Sequence, residues 1–323
     1  MKILLVNKYL YRKGGAETYF IKLGEYLKSL GNEVEYFGMA DERNCVENTE
    51  NIDFHKKSLK HITYPFKIIY SVNARKQIRK VLSDFKPDVV HLNNFNYQLT
   101  PSIIYEIKKH NIPIVYTAHD VQLVCPNHKL KNDYTDGLCR KCDGGKYFEC
   151  VKNNCVHSSK IRSILGAVEA WYYKLRHTYK MIDLTVCPSE FMEKEISRND
   201  DINGRTLTMY NFIDEIKPLG AECENYVLYF GRYSEEKGIS NLVKAAKKLS
   251  NIPFVFAGKG ELENEVNSAD NIKNVGFKTG DELRNIIEKA LFTVLPAEWS
   301  ENCPFSVMES QSLMTPVLGA KIG

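Results

Sequence analysis

Short apolar runs alternate along the chain with longer stretches whose apolar residues recur at helical spacing, the pattern of parallel βαβ units. In the first half, Lys2–Val6, Glu33–Phe37, Asp88–Leu92, Ile114–Thr117 and Leu184–Pro188 are predicted strands. Ala16–Leu30, stopped by Gly31, is a predicted helix, as are Ile161–Arg176 and Glu190–Ser197. The polar, glycine-containing stretch from Asp214 to Asn225 interrupts the alternation. A second series follows, with strands predicted at Val227–Phe230, Phe254–Ala257, Ile272–Val275, Phe292–Leu295 and Pro316–Leu318. Two consecutive doubly wound α/β domains account for this order: residues 1–212, a linker at 213–225, and residues 226–323. The chain ends soon after a strand that should feed another βα unit, so the second domain is expected to be truncated.

Composition narrows the function classes. A net charge of +4 over 323 residues gives no reason to expect a nucleic-acid partner. No run reaches the roughly 18 apolar residues that a spanning helix needs, and the opening Met1–Asn7 reads as a buried strand, too short for a signal peptide. Nine cysteines without a secretory signal point to a reducing cytoplasm.

The candidate chemistry sits at the ends of predicted strands. Tyr226–Gly238 reads as a strand running into a glycine, then a loop carrying Arg232 and Lys237 just before a helix. Two cations there would seat a diphosphate without a metal; a solvated loop is the competing reading. Glu301 and Glu309 lie eight residues apart, just over two turns if both were helical, and are expected to face one ligand. Carboxylates favoured by a helix dipole are the alternative there. Gly14-Gly15 follows strand one, where a helix N-terminus offers N–H groups to phosphate. The third glycine of the dinucleotide fingerprint is missing, which counts against an NAD enzyme. His119 follows Ile114–Thr117 at the end where α/β ligand sites lie, and His91 ends Asp88–Leu92. Phe277, after Val275-Gly276, is either a base contact or a core aromatic.

An irregular insert at 125–157 holds Cys125, Cys139, Cys142, Cys150 and Cys155. Cys139-Arg-Lys-Cys142 is a metal half-site in form, so Cys139, Cys142, Cys150 and Cys155 are read as a structural zinc site, with free thiols or disulfides as alternatives. Lys56, Lys57, Lys60, Lys67, Arg75, Lys76, Arg79 and Lys80 make a basic stretch interleaved with Tyr64 and Ile68-Ile69-Tyr70, and Trp171-Tyr-Tyr-Lys174 adds an aromatic-basic patch. Either could rest on anionic lipid, or be a solvated helix face.

Four blocks in this order resemble the family 4 retaining glycosyltransferases: Gly14-Gly-Ala-Glu17, Tyr116-Thr-Ala-His-Asp120, Gly231–Gly238, and Glu301–Glu309 followed by Thr315-Pro-Val317. The resemblance implies the GT-B fold, two facing Rossmann-like doubly wound domains, here with the second incomplete. It implies that Gly15 faces the donor phosphates, that His119 orients the transferred sugar, and that Arg232 and Lys237 neutralise the diphosphate. Glu309 would take the ribose hydroxyls, and Glu301 would bind the donor sugar or support charge at its anomeric carbon. Asn302-Cys303-Pro304 replaces the family's usual Gly-Phe-Gly, which bears on the identity of the sugar. The expected reaction transfers a sugar from a nucleoside diphosphate sugar, by family habit a UDP-sugar, to a polysaccharide or lipid-linked glycan with retention. No cofactor is required for catalysis. The expected setting is the cytoplasm, at the inner face of the plasma membrane. A nucleotide-sugar epimerase and an inactive nucleotide-binding module are the alternatives.

Overall fold

The computed structural model of the protein describes residues 1–47, 51–52, 64–132 and 137–322. The chain divides into Met1–Tyr210 and Asn211–Gly323, and each unit is built on its own parallel sheet. In the first, the order is β1 (Lys2–Val6), α1 (Gly15–Ser29), β2 (Glu33–Met39), β3 (Asn51–Ile52), α2 (Tyr64–Ile69), α3 (Val72–Phe85), β4 (Val89–Leu92) and α4 (Ser102–Lys109). It continues through β5 (Ile114–Thr117), α5 (Phe148–Lys152), α6 (Lys160–Leu175), β6 (Leu184–Cys187), α7 (Glu190–Ile196) and β7 (Thr206–Thr208). The seven strands run β3-β2-β1-β4-β5-β6-β7, so the winding reverses between β1 and β4.

Strand β1 explains why this sheet is central. Leu4 and Val6 point to a core shared with Val81, Ile103 and Tyr116, while Ile3 and Leu5 point to the other face, against Phe20, Ile21 and Tyr36. A strand apolar on both faces has to be covered by helices on both. Serine caps set several helix starts: Ser71 accepts from Ala74 N for α3 (3.1 Å) and Ser189 from Met192 N for α7 (3.1 Å).

The second unit comprises β8 (Val227–Tyr233), α8 (Ile239–Lys248), β9 (Phe254–Gly260), α9 (Glu263–Val266), β10 (Ile272–Asn274), α10 (Gly280–Lys289), β11 (Phe292–Leu295), α11 (Phe305–Ser312) and β12 (Val317–Gly319). Its strand order is β10-β9-β8-β11-β12, with the reversal between β8 and β11. The two predicted doubly wound α/β domains are therefore present. The expected linker at 213–225, however, is fastened to the second unit. Glu288 on α10 accepts from Leu219 N (2.6 Å) and Ala221 N (3.1 Å), and Glu224 N donates to Lys289 O (2.6 Å). Among the described residues no helix is long and apolar enough to cross a membrane.

Candidate functional site

In a doubly wound sheet, ligands meet the carboxyl ends of the strands where the winding reverses. In the second unit that point receives the chain leaving β8 and the chain leaving β11. Strand β8 does not stop at Gly231, as the sequence pattern suggested. It continues through Arg232 to Tyr233, pairing Gly231 with Gly258, Arg232 with Lys259 and Tyr233 with Gly260 on β9. Arg232 thus lies on a strand extension, beside a cation that the sequence reading passed over. The chain then makes a short 3-10 turn at Glu235–Lys237 and turns at Gly238, whose φ is 72°.

Lys237 and Glu301, predicted separately, meet here. Lys237 Nζ donates to Glu301 Oε1 at 2.6 Å, and Trp299 Nε1 donates to the same oxygen at 2.9 Å. The ammonium also lies 5.6 Å from the Trp299 ring centre, within cation–π reach. The two loops are laced by Glu298 N donating to Glu236 O (3.0 Å) and by Asn241 Nδ2 donating to Glu298 Oε1 (2.6 Å). Arg232 pairs with Glu236 at 3.2 Å, its side chain 62% exposed.

The expected helical spacing of the two glutamates is not what the structure has. Helix α11 begins at Phe305 with Pro304 as its N-cap, so Glu301 stands on the loop before it and only Glu309 on the helix. Proline, without an N–H, suits the helix start but not a turn beginning at Glu301. The Asn302-Cys303-Pro304 segment is shaped by Cys303, at φ 52°, whose carbonyl accepts from Asn211 Nδ2 at 2.9 Å. Phe277 is 64% exposed, which removes the core reading; Lys259 Nζ lies 5.2 Å from its ring centre.

In the first unit the reversal between β1 and β4 gathers a polar set. Helix α1 opens at Gly15 behind Gly14, an N-cap with no side chain to close the first turn. Glu17, buried on α1, faces Asn94 Nδ2 at 3.4 Å, while Asn94 N donates to Asn7 Oδ1 at 2.9 Å. His119 stands edge-on to Tyr19, ring centres 5.2 Å apart, with Nε2 2.8 Å from Asn93 Oδ1. That partner places the proton on Nε2 and leaves Nδ1 an acceptor. Burial pushes the His119 pKa down to about 4, so the ring is neutral at physiological pH. His91 is likewise lowered to about 4, by burial first and by His119 second, and its Nε2 lies 2.8 Å from Thr117 Oγ1. It is tied into the scaffold at the strand ends. Beyond them, Lys8 Nζ donates to Asn96 Oδ1 (2.6 Å), and His128 bridges Asn96 (3.0 Å) and Asp120 (3.2 Å). Trp299 and Lys259 were missed from sequence. Only Lys259, set in Gly258-Lys-Gly260 at a strand end, carried a signal.

The insert brings its cysteines around one small cavity lined by Cys125, Cys139, Cys142, Cys150 and Cys155. None of the five is joined in a disulfide. Burial pushes Cys142 up to about 12 and Cys150 further. Among the described residues no group of three or more His, Cys, Asp or Glu side chains is arranged to hold a metal ion. The insert is pinned to α7 by Arg140, whose guanidinium grips buried Glu195.

The basic stretch is divided. Lys56, Lys57 and Lys60 lie outside the described residues. Arg75 and Arg79 on α3 both turn to buried Glu106 on α4, at 2.8 and 2.7 Å.

Two parallel, doubly wound α/β units, each with polar side chains at its winding reversal, make the GT-B class of fold. The family described as Glycosyltransferase Family 4 matches residues 13–216, and Glycosyl transferases group 1 matches residues 212–323; the chain belongs to the family 4 glycosyltransferases. It is 26% identical to an uncharacterized 42.6 kDa protein of the cps region of Klebsiella pneumoniae, over 100% of this chain and 86% of that one. It is 20% identical to an uncharacterized glycosyltransferase of Methanocaldococcus jannaschii, over 100% and 80%. Among solved structures, sucrose-phosphate synthase from Thermosynechococcus elongatus has the same fold at 16% identity and TM-score 0.68, covering 100% of this chain and 82% of that one. HepE of Anabaena, in complex with UDP and glucose, has it at 15% identity and TM-score 0.63, covering 100% and 81%.

Proposed function

We propose that this glycosyltransferase moves a sugar from a nucleoside diphosphate sugar, a UDP-sugar by preference, to a hydroxyl of a polysaccharide or lipid-linked glycan, with retention at the anomeric carbon. The observation that carries the reading is the Lys237–Glu301 pair at the winding reversal, with Arg232 on the strand that feeds the same loop. Two cations on adjoining segments suit a diphosphate, and stabilising charge on the departing nucleotide lowers the barrier to breaking the glycosidic bond. In this proposal Glu301 exchanges part of its bond to Lys237 for the donor sugar, and Glu309 takes the ribose hydroxyls. Phe277, exposed beside Lys259, meets the base. Gly15 offers backbone N–H to the donor phosphates, and neutral His119 accepts a sugar hydroxyl at Nδ1. The leaving diphosphate itself takes the acceptor proton, so no separate base is required. The relatives lend support: HepE is described with UDP and glucose, and the Klebsiella pneumoniae relative comes from a cps region. The proposed setting is the cytoplasm.

A structural zinc on Cys139, Cys142, Cys150 and Cys155 belongs to the same proposal. The thiols already share one cavity with Cys125 but would have to close further onto an ion; the zinc content of the purified chain tests this.

The deciding experiment is a thermal-shift panel of UDP, GDP, ADP, CMP and their sugars, run beside Arg232→Ala. A ligand at 100 times its dissociation constant adds about 2.7 kcal/mol. Stabilisation by one diphosphate, lost in the variant, is the expected result. No response to any nucleotide would sink the donor assignment. Product NMR then reads the anomeric configuration, and donor incubated alone separates transfer from epimerisation.

A further inference from the structure

Helix α6 carries a row of apolar side chains on its outer face. Ile161, Ile164, Val168, Trp171 and Leu175 follow one another at spacings of three and four, which confines them to an arc of about 80°. They are 36–79% exposed. The other face does the packing: Ser163, Ala167 and Tyr173 are buried. On α5, which packs against α6, Phe148 adds another ring, 62% exposed. Single exposed leucines are ordinary, but a continuous row along a 16-residue helix, about 24 Å long, is an interaction surface.

The charges around the row select its partner. Lys160 and Arg162 stand at one end and Lys174 at the other, while Arg176 lies over the Tyr105 and Tyr172 rings. The one carboxylate of the helix, Glu169, faces inward towards His128 and Asp120 and puts no negative charge on this face. Two copies of the helix packed along the row would set cation against cation in either orientation. The same charges attract a negatively charged surface, and an aromatic-aliphatic ridge between cations is the form of a helix lying in a membrane interface. Trp171 is held in place for this by Nε1 donating to Gly145 O at 2.9 Å.

We propose that α6 docks on the surface of an anionic lipid bilayer, the row from Ile161 to Leu175 entering the headgroup boundary and the flanking cations meeting lipid phosphates. The inference rests on this surface alone and not on which sugar is transferred.

The test is co-sedimentation of the full chain with phosphatidylcholine vesicles, with and without about one third phosphatidylglycerol. Wild type should partition at least about tenfold more onto the anionic vesicles and be released by high salt. Ile161→Asp together with Leu175→Asp should abolish binding while leaving the melting curve unchanged, since both side chains are exposed. Equal partition onto both vesicles, no binding to either, or binding untouched by the double substitution would overturn the proposal. So would a concentration-dependent dimer that the same substitutions dissolve, which would assign the row to a second copy.

Discussion

Lys237 and Trp299 grip the same oxygen of Glu301, one with an ammonium at 2.6 Å and the other with an indole N–H at 2.9 Å. The carboxylate is therefore aimed before any ligand arrives, and its aim depends on a cation that the donor diphosphate would also attract. Pre-orientation of this kind reduces the reorganisation required during the reaction.

Lys237→Ala removes both functions of the lysine. Sugar transfer should fall about 10²–10³-fold, and the fold should lose roughly 1–3 kcal/mol because Glu301 keeps a single partner. Steady-state rates and urea unfolding read the two effects separately. A variant with wild-type turnover would remove Lys237 from the machinery.

Gly238 is the least replaceable glycine of the loop. Its φ is 72°, and a Cβ built there would collide with the Pro296 carbonyl oxygen. Gly238→Ala should cost at least about 2 kcal/mol of unfolding free energy and weaken nucleotide binding, because the turn carrying Lys237 must shift. Denaturant unfolding alongside nucleotide titration checks both.

Burial raises the Glu169 pKa to about 7, with Asp120 adding to the shift and His128 opposing it. The folded chain therefore holds a proton here that the unfolded chain releases from about pH 4.5 upward. Stability from this group is full below that value and declines as pH rises towards 7. Glu169→Gln, which fixes the neutral form, should stabilise the protein at pH 8 by up to about 3 kcal/mol and change little at pH 4. A gain no larger at pH 8 than at pH 4 would refute the shift.

His91 and His119 act in the opposite sense. Both are held near 4 by burial, so between about pH 6.5 and 4 the unfolded chain binds protons that the folded one refuses. Stability due to these rings should fall on acidification through that window. Urea midpoints of His91→Asn across the same range should show a shallower decline than wild type.

Burial also predicts thiol chemistry. Cys45 and Cys223 are exposed, whereas Cys142 and Cys150 are buried with raised pKa values. A disulfide reagent at pH 8 should modify the first two rapidly and leave the latter pair unmodified until denaturant is added. Rapid labelling of Cys150 in the native state would contradict the packing of the insert.

Much of the architecture was legible because buried parallel strands are short apolar runs and little else is. The ends of β1, β5, β6 and β11 fall within a residue of the pattern. The functional geometry was less so. Gly231 reads as a breaker, yet β8 runs through it: Gly258 opposite has no Cβ, and one built there would meet Gly231 O. The two backbones can therefore stay paired, carrying Arg232 and Lys259 side by side. The Lys237–Glu301 bond spans 64 residues of chain, and no local pattern announces such a meeting. The pairing of Arg75 and Arg79 was equally hidden, since the carboxylate that claims them lies on another helix.

That clamp has a consequence for how the first unit meets acid. The two guanidinium groups, Arg79 foremost, overcome burial and hold Glu106 down to about 2, so α3 and α4 stay riveted well below the pH at which His91 and His119 take up protons. Acid should therefore loosen the ends of the strands before it loosens the helices behind them. The strand-end edge of this unit is its soft edge, and the scaffold beneath it gives way last.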